Sequence, residues 1–186
     1  MDRFVEIYRN RVSTATDSPS ILDLLHQYGN QVFDSTPSEM DDVVTGARFL
    51  DGSALEGYLA DIGAGEGAVA LGLALLCERP VLAIELVRER AARIRAAAAR
   101  FGLPNLTAVA SNAFEADLSG AAGLYVNSPF FSAAVPAFVD KLAQECRPGT
   151  RLFAVNAIVR DLAADPRLKK VPADGLRYCT AAFELA

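Results

Sequence analysis

Apolar and polar positions along this chain follow two rhythms, and the switches between them mark the elements. Short apolar runs recur at residues 59–62, 80–85, 106–110, 124–127 and 151–157. They hardly alternate with polar positions, as expected of strands buried on both faces of a parallel sheet. Helical stripes separate them at 68–77, 87–101 and 135–146. The second is an Ala/Arg helix stopped by Gly102 and Pro104, and the third closes at Pro148-Gly149. Residues 114–118 suffice for a short helix at most. Alternation of this kind predicts βαβ units, a parallel sheet and right-handed crossovers. The tail breaks the rhythm: 168–171 and 176–185 flank Pro172-Ala173-Asp174-Gly175 and read as a closing hairpin.

Residues 1–56 precede the sheet. Val5, Ile7 and Tyr8 suggest a short helix, and Ser18-Pro19 opens another that Gly29 ends. Thr36-Pro37-Ser38-Glu39 is a T-x-x-E capping box with proline at N1. Met40, Val43, Val44, Ala47 and Leu50 then form a stripe up to Gly52. This segment is either a plain helical cap or a lid whose loop, 31–37, carries Phe33, Ser35 and Thr36 to a ligand. The division expected is 1–56 for the cap or lid and 57–186 for the core, within one structural domain.

Length and chemistry narrow the class. A chain of 186 residues fits one domain with a sizeable core. It has no apolar run of the about 18 residues a membrane helix needs, and its charged start lacks a signal-peptide segment. A cytoplasmic protein is expected. Cys77, Cys146 and Cys179 are scattered among apolar neighbours, and His26 is the single histidine, so no metal site is expected. The net charge is −5. Arg88, Arg90, Arg93, Arg95 and Arg100 mix with alanines on one helix and read as a solvated face. No direct nucleic-acid or membrane contact is therefore expected, and a small molecule or a basic protein segment is.

The candidate chemistry begins at Leu59-Ala60-Asp61-Ile62-Gly63-Ala64-Gly65-Glu66-Gly67, a strand, a glycine loop and a helix start. Glycines there permit a tight turn and close approach of a ligand to bare backbone. Asp61 and Glu66 give the loop negative charge, which suits the sulfonium and ammonium of S-adenosylmethionine better than a pyrophosphate. The spacing also reads as G-x-G-x-x-A ending at Ala68, so a dinucleotide stays open, as does a turn without a ligand. Glu85 ends the second strand roughly 20 residues on, where an acid grips ribose hydroxyls or merely caps the next helix. Ser111-Asn112-Ala113-Phe114 follows the third strand. Asn112 can accept from an adenine amino group and Phe114 can wall the ring, or the segment is a turn with one buried aromatic.

Asn127-Ser128-Pro129-Phe130-Phe131 ends the fourth strand, beside the crevice that an open α/β sheet offers its ligands. An amide oxygen and the next carbonyl can hold an amino group and aim its lone pair. Phe130 can enclose it in an electron-rich wall. That constellation suits methyl transfer to nitrogen and supplies no metal ligand or hydride partner. Tyr125 has no neighbouring lysine. A plain strand-end turn is the alternative.

D-I-G-A-G-E-G, Glu85 and the end of strand four together resemble class I S-adenosylmethionine-dependent methyltransferases over residues 57–157. The likeness implies a Rossmann-like α/β sheet, mostly parallel with an antiparallel last strand, under an N-terminal helical lid. T-P-S-E-M-D-D-V-V, L-Y-V-N-S-P-F-F and R-L-F-A-V-N-A-I-V with its hairpin are similar to the non-SET histone lysine methyltransferases of the telomeric-silencing-disruptor type and their small bacterial relatives, over residues 31–186. The resemblance implies Asp61, Gly63 and Gly65 by the methionine part of S-adenosylmethionine, with Ala64 beside them. It implies Glu85 by the ribose, Asn112, Ala113 and Phe114 by the adenine, and Thr36 reaching in from the lid. Asn127 would border both the cofactor and, with Phe130, the methyl-transfer channel, with no metal involved. Two departures stand out: Asn112 replaces the usual acid, and N-S-P-F-F lies between that group's pattern and the N-P-P-F of other nitrogen methylators. The basic nucleosome-binding tail is absent. The acceptor expected is a lysine-like amine. A small-molecule N- or O-methyltransferase and a non-catalytic cofactor-binding partner are the alternatives.

Overall fold

Seven strands form one sheet in the order β3-β2-β1-β4-β5-β7-β6 in a computed structural model that describes residues 38–186. The strands are β1 (Tyr58–Ile62), β2 (Val81–Glu85), β3 (Leu106–Ala110), β4 (Ala121–Asn127), β5 (Arg151–Val155), β6 (Leu168–Val171) and β7 (Thr180–Leu185). All pairings among β1 to β5 are parallel, and β7 runs antiparallel to both β5 and β6. The helices are α1 (Met40–Asp51), α2 (Ala68–Leu76), α3 (Arg88–Phe101), α4 (Val135–Glu145) and α5 (Ile158–Ala163). The helices expected at 5–8 and 18–29, His26, the 31–37 loop and Thr36 lie outside the described residues.

Alternate strand residues feed two cores. Leu59, Ala83, Tyr125 and Phe153 meet Val43 and Leu50 of α1, Leu73 of α2 and Ile94 of α3 on one face. On the other face Ile62, Ile84, Leu124 and Phe183 meet Phe138 and Leu142 of α4 and Leu162 of α5. Sheet strands covered on both sides need apolar residues at every position, which is why the strands read as unbroken runs. Gly46 lets α1 lie flush on β4, since a Cβ there would sit 2.6 Å from Cε2 of Tyr125.

Four local readings change. The helix α1 starts at Met40 with Glu39 at its N-cap and no side-chain cap bond. Glu39 is thus the residue at the N-cap, Ser38 accepts from the Asn127 side chain, and Thr36 and Pro37 of the expected capping box lie outside the described residues. Strand β4 begins at Ala121, three residues early, because Ala121 and Gly123 pair with Tyr58 and Leu59 of β1 across an irregularity at Ala122, without bulky side chains to mark them. Strand β5 stops at Val155, where Asn156 takes φ 69°, and α5 follows unforeseen. Strand β7 starts only at Thr180, whose Oγ1 accepts from the Arg177 N–H at 2.7 Å and closes a turn. Residues 114–118 carry no helix.

Candidate methyl-transfer site

The C-terminal ends of β1, β2 and β4 open on one edge of the sheet, the place where such folds hold ligands. The glycine loop there is anchored to β2: the Gly63 and Ala64 N–H groups both donate to the Ile84 carbonyl at 2.9 Å. Gly63, Gly65 and Gly67 have φ of 70°, 56° and 85°, a left-handed geometry that favours glycine. Pro129 from the end of β4 lies against Gly63, where a Cβ would come 2.4 Å from the proline Cβ. The loop and the N-S-P-F turn, remote in sequence, thus interlock.

Asp61 is 3% exposed. Its carboxylate accepts from the Ala70 N–H in the first turn of α2, while Oδ2 is buried with no hydrogen-bond partner. Burial, with the Glu85 charge adding, pushes its pKa up to about 7. A buried acceptor left over beneath a bare glycine loop fits a cofactor that brings positive charge and N–H donors. The ordinary value is 3.8. Between that value and 7 the folded state holds a proton the unfolded state has lost, so stability falls as pH rises and levels above 7. Asparagine cannot titrate. The thermal-stability gap between Asp61→Asn and the parent is therefore expected to shift in the variant's favour from pH 4 to pH 7. At about 1.4 kcal/mol per unit, the swing is roughly 3–4 kcal/mol. Melting curves across that range check it, and a constant gap contradicts it.

Glu66 does not give the loop its charge. Arg90 Nε lies 3.4 Å from it and Arg93 bonds it at 3.0 and 3.1 Å. Arg90 is itself buried, and Arg95 donates to the Ala108 carbonyl at 2.9 Å. So three of the five arginines on α3 serve the fold rather than a solvated face. With Glu66 paired and Asp61 half-protonated near neutrality, the loop is much less negative than its letters suggest.

Glu85 sits beside the loop, as expected of a ribose acid, and has a second task. Its Oε2 accepts from Gly65 N–H at 2.7 Å and its Oε1 from Val87 N–H at 2.8 Å. Burial raises its pKa, and those two bonds and Arg90 hold it down. A carboxylate has about four lone-pair sites, so ribose hydroxyls can still be taken. Glu85→Ala is expected to weaken cofactor binding and also to lower the melting temperature, because two N–H groups lose their acceptor at about 1–3 kcal/mol each. Calorimetric titration and melting measure the two losses separately; unchanged affinity would remove the ribose contact.

Asn112 Oδ1 accepts from the Phe114 N–H at 3.0 Å, closing a small turn after β3 with Ala113 at its centre. Phe114 packs on Phe130 at 5.3 Å between centroids and on Phe138 at 6.1 Å. Phe130 is 8% exposed and lies 4.9 Å from Phe138. The adenine wall and the channel wall expected from sequence are thus one aromatic cluster rooted in the core.

Asn127 is held at both ends of its amide. Nδ2 donates to Ser38 Oγ at 2.9 Å, and Oδ1 accepts from Asn156 Nδ2 at 2.7 Å. Ser128 has φ 43°, and its hydroxyl donates to the Val155 carbonyl and accepts from the Ile158 N–H. A non-glycine residue in that region costs energy and is found where surroundings enforce it. Neither Ser38 nor Asn156 was expected at the site. Ser38 stands in the T-P-S-E segment, where Thr36 and Glu39 carry the capping-box reading and the serine between them has no assigned role. Asn156 stands in V-N-A-I-V, where one polar residue among apolar ones was the available signal.

The sequence matches the precorrin methyltransferase domain family over residues 52–165, which covers more than half of the chain and runs from before β1 into the turn after α5. No curated protein matches the sequence. Among solved structures, an RNA methyltransferase from Salinibacter ruber in complex with S-adenosylhomocysteine is 19% identical, with a TM-score of 0.60 over 81% of this chain and 92% of that one. An rRNA methylase from Streptococcus thermophilus is 14% identical, with a TM-score of 0.58 over 81% and 98%. Precorrin 8w decarboxylase from Methanobacterium thermoautotrophicum is 18% identical, with a TM-score of 0.56 over 81% and 91%. At such identities the likeness establishes the fold.

These findings correct the expectation about partners. Two of those three proteins are named as RNA methylases, so the exclusion of nucleic acid does not hold. The physical error was to read a whole-chain charge of −5 as a property of one surface. The matching family is also not that of the non-SET lysine methyltransferases. The chain belongs to the precorrin methyltransferase domain family, and it is a class I methyltransferase that uses S-adenosylmethionine.

Proposed function

We propose that this enzyme transfers methyl to an exocyclic amino nitrogen of a nucleobase in RNA. The observation that carries the reading is Asn127, a neutral amide fixed at the end of β4 next to the glycine loop. S-adenosylmethionine supplies the activated methyl. The Asn127 oxygen accepts an N–H of the incoming amino group and so turns the nitrogen lone pair toward that methyl. The N–C bond forms as the S–C bond breaks, and the extra proton on nitrogen leaves to water. Pro129 and the Phe114–Phe130 pair give the acceptor a flat apolar border.

Charge favours a nucleobase over lysine. A nucleobase amino group arrives neutral, whereas a lysine must first shed a proton. Two carboxylates at this edge are engaged, Asp42 with Arg177 at 3.7 Å and Glu85 with two backbone N–H groups, and the third, Asp61, is taken by the methionine part of the cofactor on this reading. The names of the RNA methylases that share the fold support the same class. On this reading Asp61, Gly63, Ala64 and Gly65 hold the methionine part, Glu85 the ribose, and Asn112, Ala113 and Phe114 the adenine. Thr36 adds a contact from the part of 1–56 ahead of α1, which acts as the lid, while α1 itself packs into the core.

The family match favours a second reading, a precorrin acceptor. One experiment separates the two. The enzyme is incubated with trideuteromethyl S-adenosylmethionine and either a pool of unmodified RNA transcripts or a precorrin. Nucleosides from the digested RNA are expected to carry the heavy methyl on an amino nitrogen. Label in the precorrin and none in RNA would establish the second reading instead.

A further inference from the structure

We infer that Asn156 is a positioning residue for methyl transfer: its amide N–H sets which way round the Asn127 amide sits. This rests on the role proposed above for Asn127. An asparagine amide can turn over with little change in shape, exchanging an acceptor oxygen for a donor NH₂. At Asn127 that exchange decides the chemistry, because only the oxygen can receive an N–H from the acceptor. Ser38 cannot choose the orientation, since a hydroxyl both donates and accepts. Asn156 can. Its Nδ2 lies 2.7 Å from Asn127 Oδ1, and with the Asn127 amide turned over two NH₂ groups would face each other at that distance.

The backbone of Asn156 is itself held, and its amide selects the Asn127 orientation while its NH₂ faces Asn127 Oδ1. Its φ is 69°, its N–H donates to the Cys179 carbonyl at 2.8 Å, and its carbonyl accepts from the Val159 N–H at 3.1 Å as α5 begins. Asparagine, aspartate and glycine accept a left-handed backbone more readily than other residues. A residue kept only for that backbone would be replaceable by any of the three. The side-chain bond to Asn127 asks for asparagine.

Asn156→Asp separates the two roles. It keeps the shape and the backbone preference but, when ionised, is acceptor-only. A carboxylate facing the Asn127 oxygen forces that amide to turn over, and protonating it restores a donor. The first readout needs no acceptor: the Asn127 side-chain NH₂ resonances of ¹⁵N-labelled protein with S-adenosylhomocysteine bound. In Asn156→Asp these are expected to shift at about pH 8 and to return toward the parent position only at about pH 4, where an ordinary aspartate is roughly half protonated. The second readout is turnover on the RNA transcript pool, expected to fall about tenfold or more at the higher pH and to recover in part on acidification. Cofactor affinity should stay within about twofold, and Asn156→Gly should show an intermediate loss with no such recovery. The elements meeting at Asn156 also carry Asp42 on α1, Arg160 and Asp161 on α5, and Arg177 and Cys179 before β7. These are shared by all variants, so the signature is the difference from the parent.

Asn127 resonances and turnover in Asn156→Asp that match the parent at both pH values would overturn the inference. Asn127→Ala in the same assay tells the two claims apart. Full turnover there would overturn the role of Asn127, and this inference with it. Lost turnover there, beside an unaffected Asn156→Asp, would overturn this inference alone.

Discussion

Asn127→Ala is expected to lower kcat on the order of a hundredfold or more while leaving affinity for S-adenosylmethionine within about twofold. The magnitude follows from what the amide does. Methyl transfer needs the nitrogen lone pair, the methyl carbon and the sulfur in line, and misplacement by about 1 Å can cost a hundredfold. Alanine removes the side-chain oxygen at the end of β4 that is proposed to hold the amino hydrogen, while the glycine loop, Asp61 and Glu85 are untouched. The loss therefore falls on turnover rather than on cofactor binding. Some stability is lost as well, because Asn156 Nδ2 loses its acceptor. Steady-state kinetics beside calorimetric titration of the cofactor read the two effects separately. Equal losses in both would make Asn127 a structural residue of the pocket.

The second large effect is expected at Gly63. Alanine there meets two costs. At φ 70° any Cβ is strained, by about 1 kcal/mol. A Cβ would also lie 2.4 Å from that of Pro129, closer than packed carbon atoms come, so the loop or the N-S-P-F turn must move. Each of those segments serves one half of the reaction. Gly63→Ala is thus expected to reduce cofactor affinity more than tenfold, to depress turnover further, and to cost about 2–4 kcal/mol of stability. Pro129→Gly in the same chain removes the clash but not the strain. The double variant should regain part of the affinity and of the melting temperature. A Gly63→Ala protein that binds cofactor like the parent would show that loop and turn are not interlocked.

What the sequence made legible follows from how each element is stabilised. Strands β1, β2 and β5 are covered on both faces, so nearly every residue is apolar and the runs stand out; β3 lies at the sheet edge with Thr107 and Ala110 exposed, yet is apolar at its other positions. The start of β4 is equally buried, but Ala121-Ala122-Gly123 have nothing bulky to announce it. The helix α5 is six residues long and begins just past the apolar run 151–157, so I-V-R-D-L-A carries no helical stripe long enough to stand out. At the site, Asp61, the glycines and Glu85 are legible because a strand–loop–helix motif fixes them locally. The charge of the loop was misread because the ion pairs that cancel Glu66 come from α3, more than twenty residues on. The Ser38–Asn127–Asn156 chain joins three segments separated by 89 and 29 residues. No local pattern encodes such a bond; it exists only once α1 lies on β4 and β5 ends beside it. Ser38, an unassigned position of the T-x-x-E pattern, takes its role from that fold.

The central claim is that the cofactor and the acceptor meet in the crevice between the glycine loop and the end of β4. A crystal structure with S-adenosylhomocysteine tests it most directly. The account predicts the ribose hydroxyls on Glu85, the amino group of the methionine part toward Asp61, and the sulfur facing the Asn127 amide. A cofactor whose ribose lies away from Glu85, or whose sulfur is walled off from Asn127, would contradict it.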